Sequence, residues 1–594
     1  MKRDEIKAED KWVLEDIYKS DDAFLTVFNG MQAQVDELVT YEGKVISSAD
    51  VLFEFLTKLD AFNIEIGKLY LYSHEKLHQD LGNSTYQDLS QKVEAFCATS
   101  SSQLAFIDPE LATLTPEILD KYYKENDKLV PYTRFFNEIL REKEHVLDSA
   151  TESILAEVSD IANVADNTFS MLNNVDIKFP DVKDSEGNNV PLTHGTYILL
   201  LENKDRELRK NAFKGLYGEY DKLKNTIASL FAGNVKSTSF FAKMRKYDSA
   251  LSMTLSANNI PLDVYHNLIK TVNDNISVLH DYMTLRKNAL GLNELHMYDL
   301  FVPIVKDYDK KITFDEAKDT VIKALSPLGE DYVNIVKSAF TDGWIDKYEN
   351  EGKRTGAYSW GTYGIPHPYL LLNHNDNLNS MFTLAHEMGH ALHSYHSNKY
   401  QSSTYADYCI FVAEVASTVN EALLMQYLLK TTTDKTEKEY LLNYFMEQFK
   451  STLYRQTMFA EFELAMYDAY AEGTTLTAEY ISDVYYNLVK KYHGESVTVD
   501  EDIALEWSRI PHFYTPFYVY QYSTGYSAAI AISTRILKEG EPAVKDYIKF
   551  LSGGCSQDPI DLLKIAGVDM SSPKPIQDAI DTFAGVIEEF KQTL

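Results

Sequence analysis

The chain has 594 residues, with 57 Lys and Arg against 89 Asp and Glu, so its formal net charge at pH 7 is −32. So acidic a chain, in which no run of basic residues stands out, excludes nucleic acid and anionic membranes as expected partners. The three cysteines, Cys97, Cys409 and Cys555, form no C-x-x-C pair and predict neither a disulfide framework nor a thiolate zinc site. Because no segment resembles a secretory signal or a membrane span, we expect a soluble protein in the reducing cytoplasm.

The predicted elements are mainly amphipathic helices. Apolar residues recur at the helical period in 51–77 and in 439–471. Two segments break this pattern. In 175–192, alternating residues flank a Gly-Asn-Asn turn and predict a β-hairpin. In 352–376, glycines and prolines exclude a helix, while "PYLLLNH" (368–374) predicts a short strand whose exposed edge could pair with an extended peptide.

The next segment, "FTLAHEMGHALHSYH" (382–396), follows the strand directly and contains the pattern H-E-x-x-H. Its apolar residues favour a helix, which Asn379 or Ser380 could cap. Such a short pattern also occurs by chance, and two histidines on one helix face are more often surface or core residues than metal ligands. The position of the pattern on an apolar helix behind a strand favours a metal site.

The geometry of a helix decides which of these side chains can meet. His386 and His390 lie one turn apart and roughly 40° around the axis, so both imidazoles can bind one tetrahedral ion. Glu387 lies beside them, where it can act as general base on a metal-activated water. His396 stands where some zinc peptidases place a third histidine, but His393 replaces the glycine that lets the chain turn back there. Helix geometry therefore directs His396 to the opposite side, and His393 is predicted to lie behind the ligands or in a cleft.

The third ligand is expected in the apolar helical segment 407–430, which two acidic residues interrupt. Carboxylates on an apolar helix face are costly unless they are paired or bind a cation. Zinc bound by His386, His390 and Glu414 would keep the open fourth position that hydrolytic zinc enzymes need. Glu421 could orient an imidazole through a hydrogen bond, although a salt-bridged helix residue is the preferred interpretation.

A tyrosine cluster follows in "HFYTPFYVYQYSTGY" (512–526). An aromatic core stripe explains any single tyrosine, and Tyr514, Tyr518 and Tyr522 are predicted to share one helix face. Five phenols together favour a polar cavity instead, because each buried phenol needs a hydrogen-bond partner.

Together these motifs resemble the thimet oligopeptidase and oligoendopeptidase F group of zinc peptidases. The similarity covers nearly the whole chain and is carried by "FTLAHEMGHALH", "FVAEVASTVNE", "KWVLEDIY", "ENKDRELRKNAF", "GKRTGAYSWG" and "HFYTPFYVYQYSTGYSAA". The resemblance implies a mainly α, two-lobed helical zincin (gluzincin-type) peptidase, with a deep substrate channel and a small β-sheet next to the active-site helix. It also implies an N-terminal helical lobe over 1–200, with an oligopeptidase F-type region at about 110–185, and a catalytic region over 201–594.

The resemblance further implies one zinc ion per chain and endopeptidase action on short, unstructured oligopeptides. His512 matches a substrate-contacting histidine of the family, and Tyr518 and Tyr520 are predicted to join it in stabilising the oxyanion. Two alternatives stay open. A carboxypeptidase or dipeptidyl carboxypeptidase would need a cation for the C-terminal carboxylate of its substrate. A helical peptide-binding protein with an incidental motif would hold no stoichiometric zinc.

Overall fold

A computed structural model describes residues 2–305, 308 and 310–593. The chain forms two compact units, each of which gathers three separate segments. The first unit comprises Met1–Val146, Asp309–Tyr427 and Ile532–Val568, and the second comprises Leu147–Tyr308, Leu428–Ala531 and Asp569–Leu594. Because these units are defined by contacts, the boundary at residue 200 stays a prediction.

The described residues are mainly helical, as the apolar periodicity predicted. The first part of the chain forms α1 (Asp21–Val39), α2 (Ala49–His78), α3 (Ser84–Gln103), α4 (Ile107–Leu111), α5 (Pro116–Glu125), α6 (Thr133–Glu142), α7 (Ser149–Ala162) and α8 (Val164–Met171). The middle forms α9 (His194–Glu202), α10 (Arg206–Met244), α11 (Ala250–Ser256), α12 (Leu262–Asp274), α13 (Ser277–Ala289), α14 (Phe314–Ala324), α15 (Glu330–Thr341), α16 (Leu378–Tyr400) and α17 (Ile410–Thr431). The last part forms α18 (Lys435–Gln448), α19 (Arg455–Ala471), α20 (Ala478–His493), α21 (Tyr520–Glu539), α22 (Glu541–Leu551), α23 (Pro559–Ile565) and α24 (Lys574–Lys591).

The strands are short and form small sheets. They are β1 (Val182–Lys183), β2 (Asn189–Val190), β3 (Leu295–His296), β4 (Ile345–Asp346), β5 (Tyr358–Trp360), β6 (Tyr369–Leu371) and β7 (Val497–Thr498). The predicted hairpin is confirmed, since β1 and β2 pair antiparallel with Val182 opposite Val190. In the second unit, β3 pairs parallel with β7.

The sheet of the first unit positions the histidine-rich helix. Its strand order is β4, β6, β5, with β6 parallel to β4 and antiparallel to β5. The strand predicted in "PYLLLNH" is confirmed as β6, but its exposed edge is wrong because β6 is the central strand and all three of its residues are buried. A central strand has both rows of backbone groups paired, so among these three strands only β4 and β5 have free edges.

Burial explains why β6 lies in the middle. Tyr369 and Leu371 belong to the large core of the first unit, in which side chains of α1 to α5 such as Phe24, Leu52 and Tyr72 pack together. The loop before β5 is fixed by Lys353, whose Nζ donates to the carbonyl oxygen of Leu372 at 2.6 Å and pairs with the buried Asp346 at 2.7 Å. The chain leaves this fixed sheet and enters α16 after only a few residues.

The cysteines agree with one of the simpler predictions. Cys97, Cys409 and Cys555 are free thiols, as expected for a chain without a disulfide framework. Among the described residues, every helix is too short or too polar to traverse a lipid bilayer. The cytoplasmic location stays a prediction.

Candidate metal centre

Helix α16 carries the H-E-x-x-H pattern. Its N-cap is Asn377, whose side chain accepts a hydrogen bond from the amide of Ser380 at 2.8 Å. The capping residues expected from the sequence, Asn379 and Ser380, lie inside the first turn, so that prediction is wrong by two or three positions. The reason is local, because the residue before the cap, Asp376, has a left-handed backbone with φ of 50° and redirects the chain there.

The two histidines of the pattern face each other across one helical turn. The Nε2 atoms of His386 and His390 are 3.2 Å apart, and the ring planes stand at 80° to one another. Both ring nitrogens therefore point at a common volume beside the helix.

Glu414 of α17 completes this cluster. Its Oε2 lies 3.6 Å from Nε2 of His386 and 3.5 Å from Nε2 of His390. Three donor atoms bound at about 2.0–2.1 Å to one tetrahedral ion would lie roughly 3.3 Å apart, so the observed spacing fits such an ion. Although burial favours its neutral form, the neighbouring His390 and His386 lower the pKa of Glu414 to about 2, which keeps it an anionic donor.

The two helices cross closely enough for Glu414 to reach the histidines. Gly389 allows this approach, because a Cβ atom there would lie 2.6 Å from the carbonyl oxygen of Ala416. Asn420 of α17 also donates from Nδ2 to the carbonyl oxygen of Ala385 at 3.2 Å and accepts from the hydroxyl of Tyr332. Neither Gly389 nor Asn420 was predicted from the sequence. A polar residue on an otherwise apolar helix is the signal that could have found Asn420.

Glu421 contacts the metal cluster from behind. Its Oε1 lies 2.5 Å from Nδ1 of His386, so Glu421 makes the hydrogen bond to an imidazole that the sequence allowed, and the same contact is a salt bridge when that imidazole is protonated. Burial opposes a charged imidazole, but this hydrogen bond raises the pKa of His386 to about 9. Glu421 holds one proton on Nδ1, so the proton that a metal ion displaces on binding is the one on Nε2, the atom that faces His390 and Glu414.

Glu387 lies on the same helix with only 6% of its surface exposed. Burial raises the pKa of its carboxyl group, and the nearby His386 and His390 counteract that shift only in part. Its carboxylate makes no hydrogen bond to the described residues. A buried carboxylate of raised basicity next to a candidate metal site is suited to proton transfer.

The other two histidines of the segment are buried and do not join the cluster. The ring of His393 stacks on Tyr408 at a centroid distance of 3.7 Å and is 1% exposed, so its predicted position in a cleft is wrong. His396 lies against Tyr332 and Tyr400, away from the ligand face, as helix geometry predicted. Burial lowers the pKa of His393 to about 3 and that of His396 to about 4, so both are neutral packing groups.

The tyrosine-rich segment belongs to the second unit. The predicted common helix face for Tyr514, Tyr518 and Tyr522 is wrong, because α21 begins only at Tyr520 and the chain before it is a short 3-10 turn and a loop. Pro516 and the left-handed Phe517, with φ of 54°, account for the break. Tyr514 is instead buried, stacked on Phe169 at 4.4 Å.

His512 forms a partly exposed cluster with two of the tyrosines. Its ring lies 6.0 Å from those of Tyr518 and Tyr522, and its Nε2 is 3.5 Å from the hydroxyl of Tyr522. Burial lowers the pKa of His512, so the ring is neutral near pH 7. Tyr520 is only 2% exposed and packs on Tyr265, which makes Tyr522 a better candidate than Tyr520 for contact with a ligand.

One buried acid holds the loop that carries this cluster. Glu463 of α19 accepts a hydrogen bond at Oε1 from the backbone amide of Phe517 at 3.0 Å. Its side chain is fully buried, and burial raises its pKa to about 8. Glu463 was not predicted from the sequence, because 439–471 also contains Glu439, Glu447, Glu461 and Asp468 and its pattern does not show which acid is buried.

The chain is similar to known proteins over its whole length. The profile described as peptidase family M3 matches residues 199–582, and the profile described as oligopeptidase F matches residues 110–179. Oligopeptidase PepF of Bacillus subtilis is 48% identical over 592 residues, which cover 100% of this chain and 88% of that protein. Group B oligopeptidase PepB of Streptococcus agalactiae is 39% identical, with 99% and 97% of the two chains covered.

Solved structures show the same similarity. A crystal structure of a peptidase from Chlamydophila abortus is 36% identical and superposes with a TM-score of 0.92 over 100% of both chains. Oligoendopeptidase-F from Enterococcus faecium is also 36% identical, with a TM-score of 0.74 over 96% of this chain and 98% of that one. Both the fold and the order of the elements are therefore shared with these enzymes.

Proposed function

Because the chain belongs to peptidase family M3 and is a metalloendopeptidase of the oligoendopeptidase F group, we propose that it is a zinc enzyme that hydrolyses internal bonds of short oligopeptides. The observation that carries the proposal is the convergence of His386, His390 and Glu414, whose donor atoms all lie within 4.8 Å of one another. Two imidazoles and one carboxylate form a donor set of hydrolytic zinc sites, which keep one position open.

In this proposal His386, His390 and Glu414 hold one zinc ion per chain. Zinc in that place supplies a Lewis acid that polarises the scissile carbonyl group and the attacking water. Glu421 keeps the proton of His386 on Nδ1 through their 2.5 Å contact and so fixes the ring orientation. Gly389 sets the helix spacing on which the three donor positions depend.

Glu387 is the proposed general base and acid. Its carboxylate takes the proton from the attacking water and then delivers it to the nitrogen of the leaving amine. Its low exposure supports this role, because a buried carboxylate with a raised pKa is a stronger base than one in water. Both transfers use the same side chain, so its removal should stop the reaction without removing the metal donors.

The decisive experiment is the variant Glu387→Gln. We expect it to retain about one zinc per chain while peptide hydrolysis falls by a factor of about a thousand or more. Metal content is measured by emission spectrometry and activity with a quenched fluorescent peptide. Glu157→Gln, on an exposed face of α7, is the matched control and should behave as wild type. Hydrolysis by Glu387→Gln at the wild-type rate would exclude the proposed role.

His512, Tyr518 and Tyr522 are the proposed hydrogen-bond donors to the substrate or to the oxyanion. A donor aimed at the developing charge contributes about 3 kcal/mol, so Tyr522→Phe should lower kcat/KM about a hundredfold. Tyr520→Phe removes a buried hydroxyl and should change kcat/KM much less, and steady-state kinetics compare the two variants. A larger loss of kcat/KM in Tyr520→Phe than in Tyr522→Phe would show that Tyr520, as predicted from the sequence, is the donor.

The same assay separates an endopeptidase from a carboxypeptidase. An endopeptidase cleaves an internal bond whether the peptide ends in a free acid or in an amide. A carboxypeptidase or dipeptidyl carboxypeptidase requires the free carboxylate, so it would leave the amidated peptide intact. We expect cleavage of both peptides, at the same internal bond identified by mass spectrometry, and loss of both activities with a chelator.

A further inference from the structure

The second unit contains a cavity that the proposed peptidase chemistry does not use. Its volume is about 300 Å³, near the lower end for small-molecule sites. Its wall is formed by residues of α9, α10, α13, α19 and α20 with the segments that connect them. Most of that wall is apolar, and it includes Leu279, Met283, Met297, Leu300 and Phe301. All of these residues belong to the second unit, whereas His386, His390 and Glu414 belong to the first.

Cations outnumber anions at this apolar wall. Lys450, Arg455 and Arg509 line the cavity, and Glu506 is the acidic residue among the lining groups. Arg455 is paired with Glu506 through two hydrogen bonds of 2.7 and 3.3 Å. Lys450 is paired with Glu447, which lies behind the wall. Both carboxylate oxygens of Glu506 therefore already accept hydrogen bonds from Arg455.

Glu447 does not balance the excess of positive charge, because the one carboxylate pairs with two cations. It also pairs at 2.5 Å with Arg286, which is completely buried. The paired group contains four basic side chains, which are Arg286, Lys450, Arg455 and Arg509, against the two carboxylates Glu447 and Glu506. Glu202 also interacts with Lys450, and with this third carboxylate the basic side chains remain in excess by one. Burial lowers the pKa of Lys450 to about 8, but the arginines remain charged. Arg286 is fully buried and the other three cations are partly buried, and an excess of positive charge in such a place is costly unless an anion or solvent balances it.

Arg509 is the residue with unused donors. Its Nη1 lies 3.6 Å from Oε1 of Glu506, which is beyond hydrogen-bond distance, and its guanidinium stands 5.2 Å over the ring of Tyr197. It donates no hydrogen bond to the described residues, although a guanidinium has five N–H donors. The hydroxyl of Tyr454, which also lines the cavity and is 1% exposed, has no hydrogen-bond partner among the described residues.

We propose that this cavity binds a small carboxylate with an apolar body. Arg509 pairs with the carboxylate through the two-pronged geometry that a guanidinium offers, and the unpartnered hydroxyl of Tyr454 is a further donor on the wall. The apolar body packs against Met283, Met297 and Leu300. A medium-chain fatty acid and the C-terminal residue of a short apolar peptide share this chemistry. No residue of the metal centre lines the cavity, so the proposal does not depend on the peptidase function.

Calorimetric titration of the full-length protein tests the proposal, with octanoate as the fatty acid and N-acetyl-leucine as the peptide-like acid. We expect one molecule of at least one acid to bind per chain, and octanol to bind at least tenfold more weakly than octanoate. The stronger of the two acids identifies the source of the ligand. Failure of both acids to bind, or equal binding of octanoate and octanol, would overturn the proposal.

Variants locate the binding. Arg509→Gln should weaken binding of the preferred acid about tenfold or more, since a charge-assisted hydrogen-bonded pair is lost. The matched control is Arg245→Gln. Arg245 also belongs to the second unit, but it does not line the cavity and donates to both carboxylate oxygens of Glu152. Unchanged binding by Arg509→Gln would contradict the proposed site.

Two more variants test whether a folding defect explains the loss of binding and whether the acid binds at the metal centre instead of in the cavity. Ile198 lines the cavity and is 37% exposed, so Ile198→Trp should obstruct entry and weaken binding without altering the charged cluster. Acid that binds in the cavity should still bind to His390→Ala. Acid that binds to zinc at the metal centre would no longer bind, because this variant lacks one of the zinc ligands. Loss of binding in His390→Ala, or full binding in Ile198→Trp, would refute the assignment to this cavity.

Discussion

Replacing Gly389 by alanine should weaken zinc binding through a change of helix spacing alone. The added Cβ would lie 2.6 Å from both the carbonyl oxygen of Ala416 and Cα of Ser417, whereas ordinary contact begins at 3.4 Å. These are backbone atoms, so α16 and α17 must separate by about 0.8 Å at this point. Metal sites tolerate deviations of about 0.2 Å in ligand distance, so the same movement pulls Glu414 out of register with His390.

The expected size of the effect follows from two terms. Overpacking of a tight contact costs about 1–3 kcal/mol of stability. Misplacement of one ligand should lower zinc affinity by at least the tenfold to hundredfold typical of changes to the groups that support a ligand. Zinc affinity is measured by competition with a chromophoric chelator, and stability by urea unfolding with and without zinc.

Gly585→Ala in α24 is the control for the glycine substitution itself. Nothing lies within 4 Å of a Cβ at that helical position, so alanine should leave zinc binding unchanged and stabilise the helix by up to about 1 kcal/mol. If Gly389→Ala bound zinc as tightly as wild type, helix spacing would not control the site. The position of Glu414 would then not depend on the close contact at Gly389.

Two further predictions concern the acids Glu421 and Glu463. Glu421→Gln keeps the size of the side chain but weakens its contact with His386, so zinc affinity measured by chelator competition should fall about tenfold to a hundredfold, and an unchanged affinity would contradict the orienting role. Glu463 has a pKa raised to about 8 by burial, against 4.5 as its ordinary value, so the folded state binds its proton more tightly. Its contribution to stability is complete below about pH 4.5 and falls by about 1.4 kcal/mol per unit as the pH rises toward 8. The glutamine of Glu463→Gln can still accept a hydrogen bond from the amide of Phe517, but it does not titrate. The urea midpoint of this variant should therefore fall less than that of wild type between pH 5.5 and 7.5. Parallel pH profiles of the two proteins would disprove this prediction.

Several features of the metal centre could be predicted because they depend on local spacing. The helical period places His386 and His390 on one face, and an isolated acid on an apolar helix singles out Glu414 as a candidate donor. For Glu421, which interrupts the same apolar run of α17, the sequence left an orienting role and a salt-bridged role both open. Only the crossing of α16 and α17 shows that one acid faces the Nε2 atoms and the other contacts Nδ1 of His386.

Errors arose where distant residues decide the outcome. The apolar run of β6 reads equally well as an edge or a central strand, and its position depends on β4 and β5 and on the core beneath them. Likewise, the spacing of the tyrosines fits a helix, but Pro516 and the left-handed Phe517 delay α21 until Tyr520. Local pattern alone did not show which hydroxyls remain exposed.

Local sequence patterns were enough to predict the helical class, the hairpin, the short strand and the H-E-x-x-H pattern, because each of these depends on residues that are near one another in the chain. The family resemblance needed no structure either, since its motifs are read directly along the chain. Tertiary structure alone decided that Gly389 permits the helix contact, that Glu421 supports His386, and that Glu463 holds the loop of Phe517. These contacts join segments that are tens of residues apart, and their distances depend on packing, which periodicity does not encode.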